Sequence, residues 1–401
     1  MIGEARIENY KSIQKLKLEL GRVTVLIGEN GCGKSNILEA IALASAAADD
    51  KLDNEFLASR GIRVTEPQLM RSAFEKENLV KDIRIELGGN GEEFGCILEN
   101  DNSPYSQWVN KVNSLYALVS SSVETIVSNN TIIGMGYEAL QKQGMEDASI
   151  PFSEKIKALE KSLEKLSRLK KEIESFAQKS SLDKFTIYSP ENQALRTFEK
   201  EGQIQPLGIN GEGLFKLIKV LNSESNPDQI NQIKEKLQLI DWFKDFEVPE
   251  DLSPMQSSLQ IKDKYLDRDL TYFDQKSSNE GFLFLLFYLA LFISDLTPKF
   301  FAIDNIDASL NPRLCRRLMQ ELVELAQKHD KQVIFTTHNP AVLDGLDLDD
   351  DEQRLFVIYR NQLGHTKARR ILKPEPLEGQ EPVKLSEAFL RGYIGGLPKN
   401  F

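Results

Sequence analysis

The sequence predicts an α/β fold in which a mainly parallel sheet, flanked by helices, is interrupted by a helical insertion. Three observations predict it. Apolar strand-like segments alternate with helical ones in the first and last thirds of the 401-residue chain, the pattern of a sheet covered on both faces. "VTVLIG" (23–28) is apolar throughout and runs straight into the glycine-rich "GENGCGKS". Between the two ends, residues 151–180 change to apolar positions at steps of three and four separated by Lys and Glu.

Taken in order, "KLKLEL" (15–20) alternates with period two and reads as a half-exposed strand, whereas "VTVLIG" reads as a strand buried on both faces. "SNILEAIALASAAA" (35–48) has helix-forming composition. Strand-like "DIRIEL" and "FGCIL" follow within 66–99. The insertion places Ile156, Leu159, Leu163, Leu166, Leu169, Ile173 and Phe176 on one stripe of a helix of about 26 residues, about 39 Å long. That stripe fits either an ordinary surface helix or a short coiled-coil arm projecting from a head. Beyond it come the strand "KFTIYSP", a turn and helix in "NGEGLFKLIKVL" (210–221), an amphipathic helix over 227–246 and the strand "SLQIKD" (258–263). The last third reads as the helix 282–293, the strand "KFFAID" (299–304), the helix 312–328, and the strands "QVIFTT" (332–337) and "RLFVIYR" (354–360). The expected division is 1–100 and 201–401 as two parts of one head, with 101–200 inserted between them.

Composition narrows the function classes. The chain is 41% hydrophobic and 28% charged, which argues for a globular protein and against wholesale disorder. Its net charge of −11 disfavours a surface that is cationic throughout, so nucleic-acid binding needs a local basic face. A candidate short basic stretch, "HTKARRILK" (365–373), fits such a face or a strand facing solvent. Cys32, Cys96 and Cys315 lie far apart without metal-site spacing, consistent with a reducing cytoplasm. The charged start "MIGEARIENY" has no apolar export run, and the most apolar segment, "FLFLLFYLALFI", is shorter than the roughly 20 residues a bilayer requires. The acidic run "LDLDDDE" (346–352) reads as a solvated loop, and His329 and His365 as surface residues.

"GENGCGKS" (28–35) fits G-x-x-x-x-G-K-[ST] between a buried strand and a helix. Gly28, Gly31 and Gly33 let backbone N–H groups curl around phosphates; Glu29, Asn30, Cys32 and Asn36 complete the loop, Lys34 reaches the outer phosphates and Ser35 offers its hydroxyl to Mg2+. "FFAIDN" supplies the second half, an apolar strand ending at Asp304, where a carboxylate completes the magnesium shell. The cofactors expected are therefore ATP and Mg2+.

The residues around these motifs resemble the ABC-type ATPase heads of the SMC, RecF and OLD class, P-loop NTPases whose head is interrupted by helices. "IDNIDASLN" is similar to their "DEIDAALD" segment, and "IENYKSI", "GKSNILEAI" and "TTHNPAVLDGL" extend the likeness. "KSSNEGFLFLLFYLA" resembles the signature that opens a helix in this class. The resemblance implies a homodimer, or a larger ring, in which two heads sandwich two ATP molecules. Ser277, Ser278, Glu280 and Gly281 would then face the phosphate loop of the other head, although "SSNE" also fits a plain helix cap. It makes His338 a sensor of the γ-phosphate. It also places Asn305 where the class has a water-activating Glu, and Asn311 where it has an Asp. An amide can position water but cannot take its proton, so slow turnover is expected, at a cost of about 10²- to 10⁴-fold.

"LGINGEGL" and "LSEAFLRGYIGGLP" resemble the stand-alone ATPase subunits of bacterial anti-phage operons. This implies a nucleotide-gated switch acting on an effector in trans, such as a nuclease, since no second catalytic constellation is present in the sequence. A DNA-clamping repair ATPase and a non-hydrolysing ATP sensor are the alternatives.

Overall fold

The computed structural model describes residues 1–113, 152–197, 204–223, 227–249, 259–267, 270, 272–274, 277–373 and 383–397. The predicted parallel sheet is present, in the order β14-β13-β3-β12-β11-β7. Its strands are β3 (Val23–Ile27), β7 (Ile187–Tyr188), β11 (Phe300–Ile303), β12 (Gln332–Thr336), β13 (Gln353–Arg360) and β14 (Thr366–Ile371). All neighbours run parallel except the β13–β14 hairpin.

Alternation along these strands divides the protein into two cores. Val23, Val25 and Ile27, with Phe301, Ile303, Val333 and Phe335, face one core. Leu26, Phe300, Ala302 and Ile334 face the other. The first core holds α7 (Glu280–Ile293), buried at every position from Phe282 to Ile293, and the inner face of α8 (Pro312–Lys328). A helix apolar all round needs such full enclosure. The second core holds α1 (Lys34–Ala48) beneath a separate antiparallel sheet.

That antiparallel sheet, ordered β2-β1-β4-β5-β6, is a finding that sequence alternation did not separate from the parallel one. It comprises β1 (Glu4–Tyr10), β2 (Ile13–Glu19), β4 (Ile83–Gly89), β5 (Glu92–Glu99) and β6 (Val109–Asn110). The short helices α2 (Asn54–Ser59) and α3 (Pro67–Met70) lie between β3 and β4 in the chain.

The insertion contains α4 (Phe152–Lys179), two residues longer than expected. Its last turns bury Phe176 and Ala177 in the α1 core. The stripe residues Ile156, Leu159, Leu163, Leu166 and Leu169 fall outside the side chains described, as do residues 114–151.

The helix expected over 227–246 is corrected. After α5 (Leu214–Ser223), α6 covers only Asp228–Lys236, and β8 (Phe243–Glu247) follows. β8 pairs with β9 (Gln260–Asp263), which pairs with β10 (Phe273–Asp274). A bulge between Phe243 and Asp245 turns Phe243 and Phe246 to the same core, imitating helical spacing inside a strand. The helices α9 (Pro340–Leu343) and α10 (Leu385–Leu390) complete the set. Among the described residues no helix is long and apolar enough to cross a membrane.

Candidate nucleotide site

The chain leaves β3 at Gly28, whose φ of 151° and close approach to β13 both require glycine: a Cβ would lie 2.2 Å from the Ile358 carbonyl oxygen. At the other end of the loop Gly33 (φ 107°) is pressed against β14, where a Cβ would lie 2.1 Å from Thr366 Oγ1. Gly31, exposed between them, has open space around it. Gly33 also begins α1 without any side-chain cap, which leaves the first-turn N–H groups facing the loop's interior at the positive end of the helix.

Lys34 is only 6% exposed, and its Nζ donates to the carbonyls of Gly28 (2.8 Å) and Glu29 (3.2 Å). Among the described residues no carboxylate forms an ion pair with it. Burial lowers its pKa, opposed in part by Asp304 and Asp307. A buried ammonium without a direct ion pair beside the uncapped first-turn N–H groups of α1 is a site that gains by receiving an anion.

The opposite wall is built on the tips of β11 and β12. Asp304 accepts a hydrogen bond from Ser35 Oγ (3.1 Å) through one oxygen and from the Thr336 hydroxyl through the other. This pair of hard oxygens, Ser35 Oγ and the Asp304 carboxylate, suits Mg2+. Asn305 has a left-handed backbone (φ 58°), and its N–H donates to Thr336 Oγ1 at 2.9 Å. Its amide side chain is exposed and has no hydrogen-bond partner among the described residues. Asp307 is tied to Thr337 Oγ1 at 2.6 Å.

His338, following β12, is exposed and likewise without a hydrogen-bond partner among the described residues. Partial enclosure of its ring by surrounding protein lowers its pKa, and the Lys34 ammonium adds to this. Asn311 caps α8, accepting from the Leu314 N–H at 3.0 Å, which an Asp would do equally well.

The sequence-predicted residues therefore fall into two groups. The loop with Lys34 and Ser35 meets Asp304, with Asn305 and His338 at the neighbouring strand ends. Ser277, Ser278, Glu280 and Gly281 gather instead around the N-terminus of α7. There Ser277 bonds Asp274, the Ser278 carbonyl accepts from Arg196 at 2.9 Å, and Glu280 accepts from Ser309. Asn279 is the residue that caps this helix, accepting from the Phe282 N–H at 2.8 Å. Cys32 is buried, with its thiol pKa raised by burial, and both polar ends of the Asn36 side chain are engaged, with Ser12 and Arg63.

Several residues escaped the sequence reading. Thr336 locks Asp304, and its only signal was its place in "TTHN". Arg360 donates from Nε to the Gly31 carbonyl at 2.8 Å, and Thr366 from Oγ1 to the Cys32 carbonyl at 2.8 Å; only the fold brings them to the loop. A cavity of about 380 Å³ beside the loop is lined in part by Lys11, Asn36, Arg63, Phe74 and Arg360. His329 and His365 are corrected as well. His365 is 3% exposed and packs edge-on against Phe74, and His329 is partly buried against Gln232.

Comparison with known proteins gives the family and the fold. The AAA ATPase domain family matches residues 1–343. The chain belongs to that family. This AAA ATPase domain also shares the fold of an SMC head solved bound to the C-winged helix domain of ScpA. The TM-score is 0.52 at 14% identity, over 92% of this chain and 98% of that one. Two curated relatives match short stretches. The uncharacterized protein MJECL10 of Methanocaldococcus jannaschii is 40% identical over 67 residues, covering 15% of this chain and 31% of the relative. The DNA replication and repair protein RecF of Bacillus thuringiensis is 38% identical over 55 residues, covering 14% of this chain and 15% of RecF. The chain thus spans less than a third of either relative's length.

Proposed function

We propose that this AAA ATPase domain binds ATP with Mg2+, hydrolyses it slowly, and acts as a nucleotide-gated switch. The observation that carries the reading is Lys34: a buried ammonium lacking an ion pair among the described residues, set beside the uncapped first-turn N–H groups of α1. The neighbouring cavity leaves room for the sugar and base. Magnesium, held by Ser35 and Asp304, would neutralise phosphate charge. His338 would sense the outermost phosphate, and Asn305 would orient water without accepting its proton.

The switch would work between two copies, with Ser277, Ser278, Glu280 and Gly281 of one head closing on the phosphate loop of the other. The ATP-closed dimer would hold or release a separate effector, for which a nuclease of an anti-phage system is our reading from the likeness of "LGINGEGL" and "LSEAFLRGYIGGLP". Single-turnover hydrolysis of ATP with Mg2+ tests the proposal. The native protein should exceed Lys34→Ala, and Asn305→Glu should exceed the native rate by up to about 10²- to 10⁴-fold. That gain is an upper bound, because Glu adopts the left-handed backbone of Asn305 less readily than Asn, at about 1 kcal/mol. A native rate equal to that of Lys34→Ala would remove hydrolysis from the reading and leave a sensor.

A further inference from the structure

Among the described residues, the two side chains from outside the motif that hold backbone carbonyls of the phosphate loop come from one hairpin. Arg360 ends β13 and Thr366 begins β14, and the two face each other across the ladder. They hold successive carbonyls of the loop, those of Gly31 and Cys32, both at 2.8 Å. A carbonyl drawn outward turns the N–H of the next residue, which shares its planar trans unit, the other way. For the Gly31 carbonyl this is the Cys32 N–H, which donates to the Glu29 carbonyl at 3.4 Å, and for the Cys32 carbonyl it is the Gly33 N–H.

Behind Thr366 lies a chain of polar groups whose direction is fixed by chemistry. The Cys32 carbonyl only accepts, so the single Thr366 proton goes to it, and Thr366 Oγ1 must accept from Ser12 Oγ at 2.6 Å. Ser12 in turn accepts from Asn36 Nδ2 at 2.6 Å, and Asn36 Oδ1 accepts from Arg63 Nη2 at 3.1 Å. The Thr366 N–H closes the arrangement on the Ser12 carbonyl at 2.8 Å. Ser12 and Thr366 are both buried, at 3% and 0% exposure, so water does not compete for these bonds.

We infer that Thr366 is a positioning residue for nucleotide binding. It acts as a latch that holds the Cys32 carbonyl outward and so keeps the Gly33 N–H turned toward the phosphates, with Ser12 setting its hydroxyl direction and Arg360 holding the preceding carbonyl. Gly33 belongs to the same device, because any larger residue would displace the Thr366 hydroxyl. The inference rests on the nucleotide reading above for its consequence, but its structural core concerns the loop alone.

The test uses the full chain with Thr366→Val, which removes the hydroxyl and keeps the shape, Thr366→Ser, which keeps the hydroxyl, and Ser12→Ala. Two quantities are read: affinity for a fluorescent ATP analogue with Mg2+, and hydrogen exchange of peptides covering 28–36 without nucleotide. Thr366→Val is expected to weaken binding roughly tenfold and to speed exchange in the loop, with a modest fall in melting temperature from the Cys32 carbonyl and Ser12 hydroxyl left unpaired, and with Thr366→Ser restoring all three. Ser12→Ala should move both quantities in the same direction as Thr366→Val, which keeps the test informative if the valine variant folds poorly. Unchanged loop exchange and unchanged affinity in folded Thr366→Val and Ser12→Ala would overturn the latch. If the native protein binds the analogue no better than Lys34→Ala while loop exchange still responds to Thr366, the nucleotide reading fails and the latch stands.

Discussion

Lys34 and His338 show how far single residues carry the chemistry. Both sit near Asp304 and Asp307, yet the environment disfavours the charged form of each. For His338 the sign is definite. Its folded pKa lies below the ordinary value of about 6.5, so the folded protein binds the proton less readily than the unfolded chain, and stability falls as pH drops through that value. Above it the imidazole is neutral and can accept or donate one hydrogen bond. Single-turnover rates should therefore hold from pH 8 down to about 6.5 and decline only below it, with the acid limb absent in His338→Gln. A limb centred above 7 would mean another group controls the step. The motif residues were readable in the sequence because their spacing is dictated by phosphate geometry. Thr366 was not, because a threonine opening a strand is unremarkable until the sheet order places it behind Cys32.

Whole elements were readable where their period was unambiguous. α8 starts and stops where its pattern does, and α7 announces itself by being apolar on every side. β8 was misread because one bulged residue changed its period. The α7 N-terminus yields a prediction of its own. Gly281 lies in the first turn, and a Cβ there meets the Ser309 carbonyl oxygen at an ordinary 3.5 Å. Gly281→Asp should therefore fold, with an acid at the positive end of the helix shifting stability by less than about 1 kcal/mol. If two heads close on ATP as proposed, it should nevertheless abolish ATP-induced dimerisation in sedimentation, because it would set a carboxylate against the incoming phosphates. Dimerisation equal to the native protein would place the partner's contact elsewhere.

At the scale of the whole molecule, charge is largely settled within the chain. The basic stretch on β14 does not form a free cationic face: Arg370 pairs with Asp351 at 2.5 Å, Lys373 with Asp349, and Arg369 donates to the Ile394 carbonyl at 2.6 Å. The acidic run read as a solvated loop is thus the counterpart of the basic one. With a net charge of −11 besides, duplex DNA at low salt should show no mobility shift, with or without ATP and Mg2+. A shift whose affinity falls steeply with salt would require cations outside this hairpin. The parallel sheet itself was readable from buried strands alternating with helices. Its partnership with a second, antiparallel sheet was not, since period-two alternation marks a half-exposed strand without saying which sheet it joins.

The order of strands has a consequence for the birth of the protein. β3, which carries the phosphate loop, is flanked by β12 and β13, so Val23 first meets Gln353 when about 330 further residues have been made. The antiparallel sheet, by contrast, needs nothing beyond Asn110. At ribosomal rates of about 5–20 residues per second, the strand that bears the loop waits roughly 15 to 65 s for its neighbours. During synthesis the first sheet can assemble early, and the site acquires its shape only when the hairpin that grips the loop emerges. On the proposed function, a nascent chain would not hold nucleotide until β13 and β14 have joined the sheet.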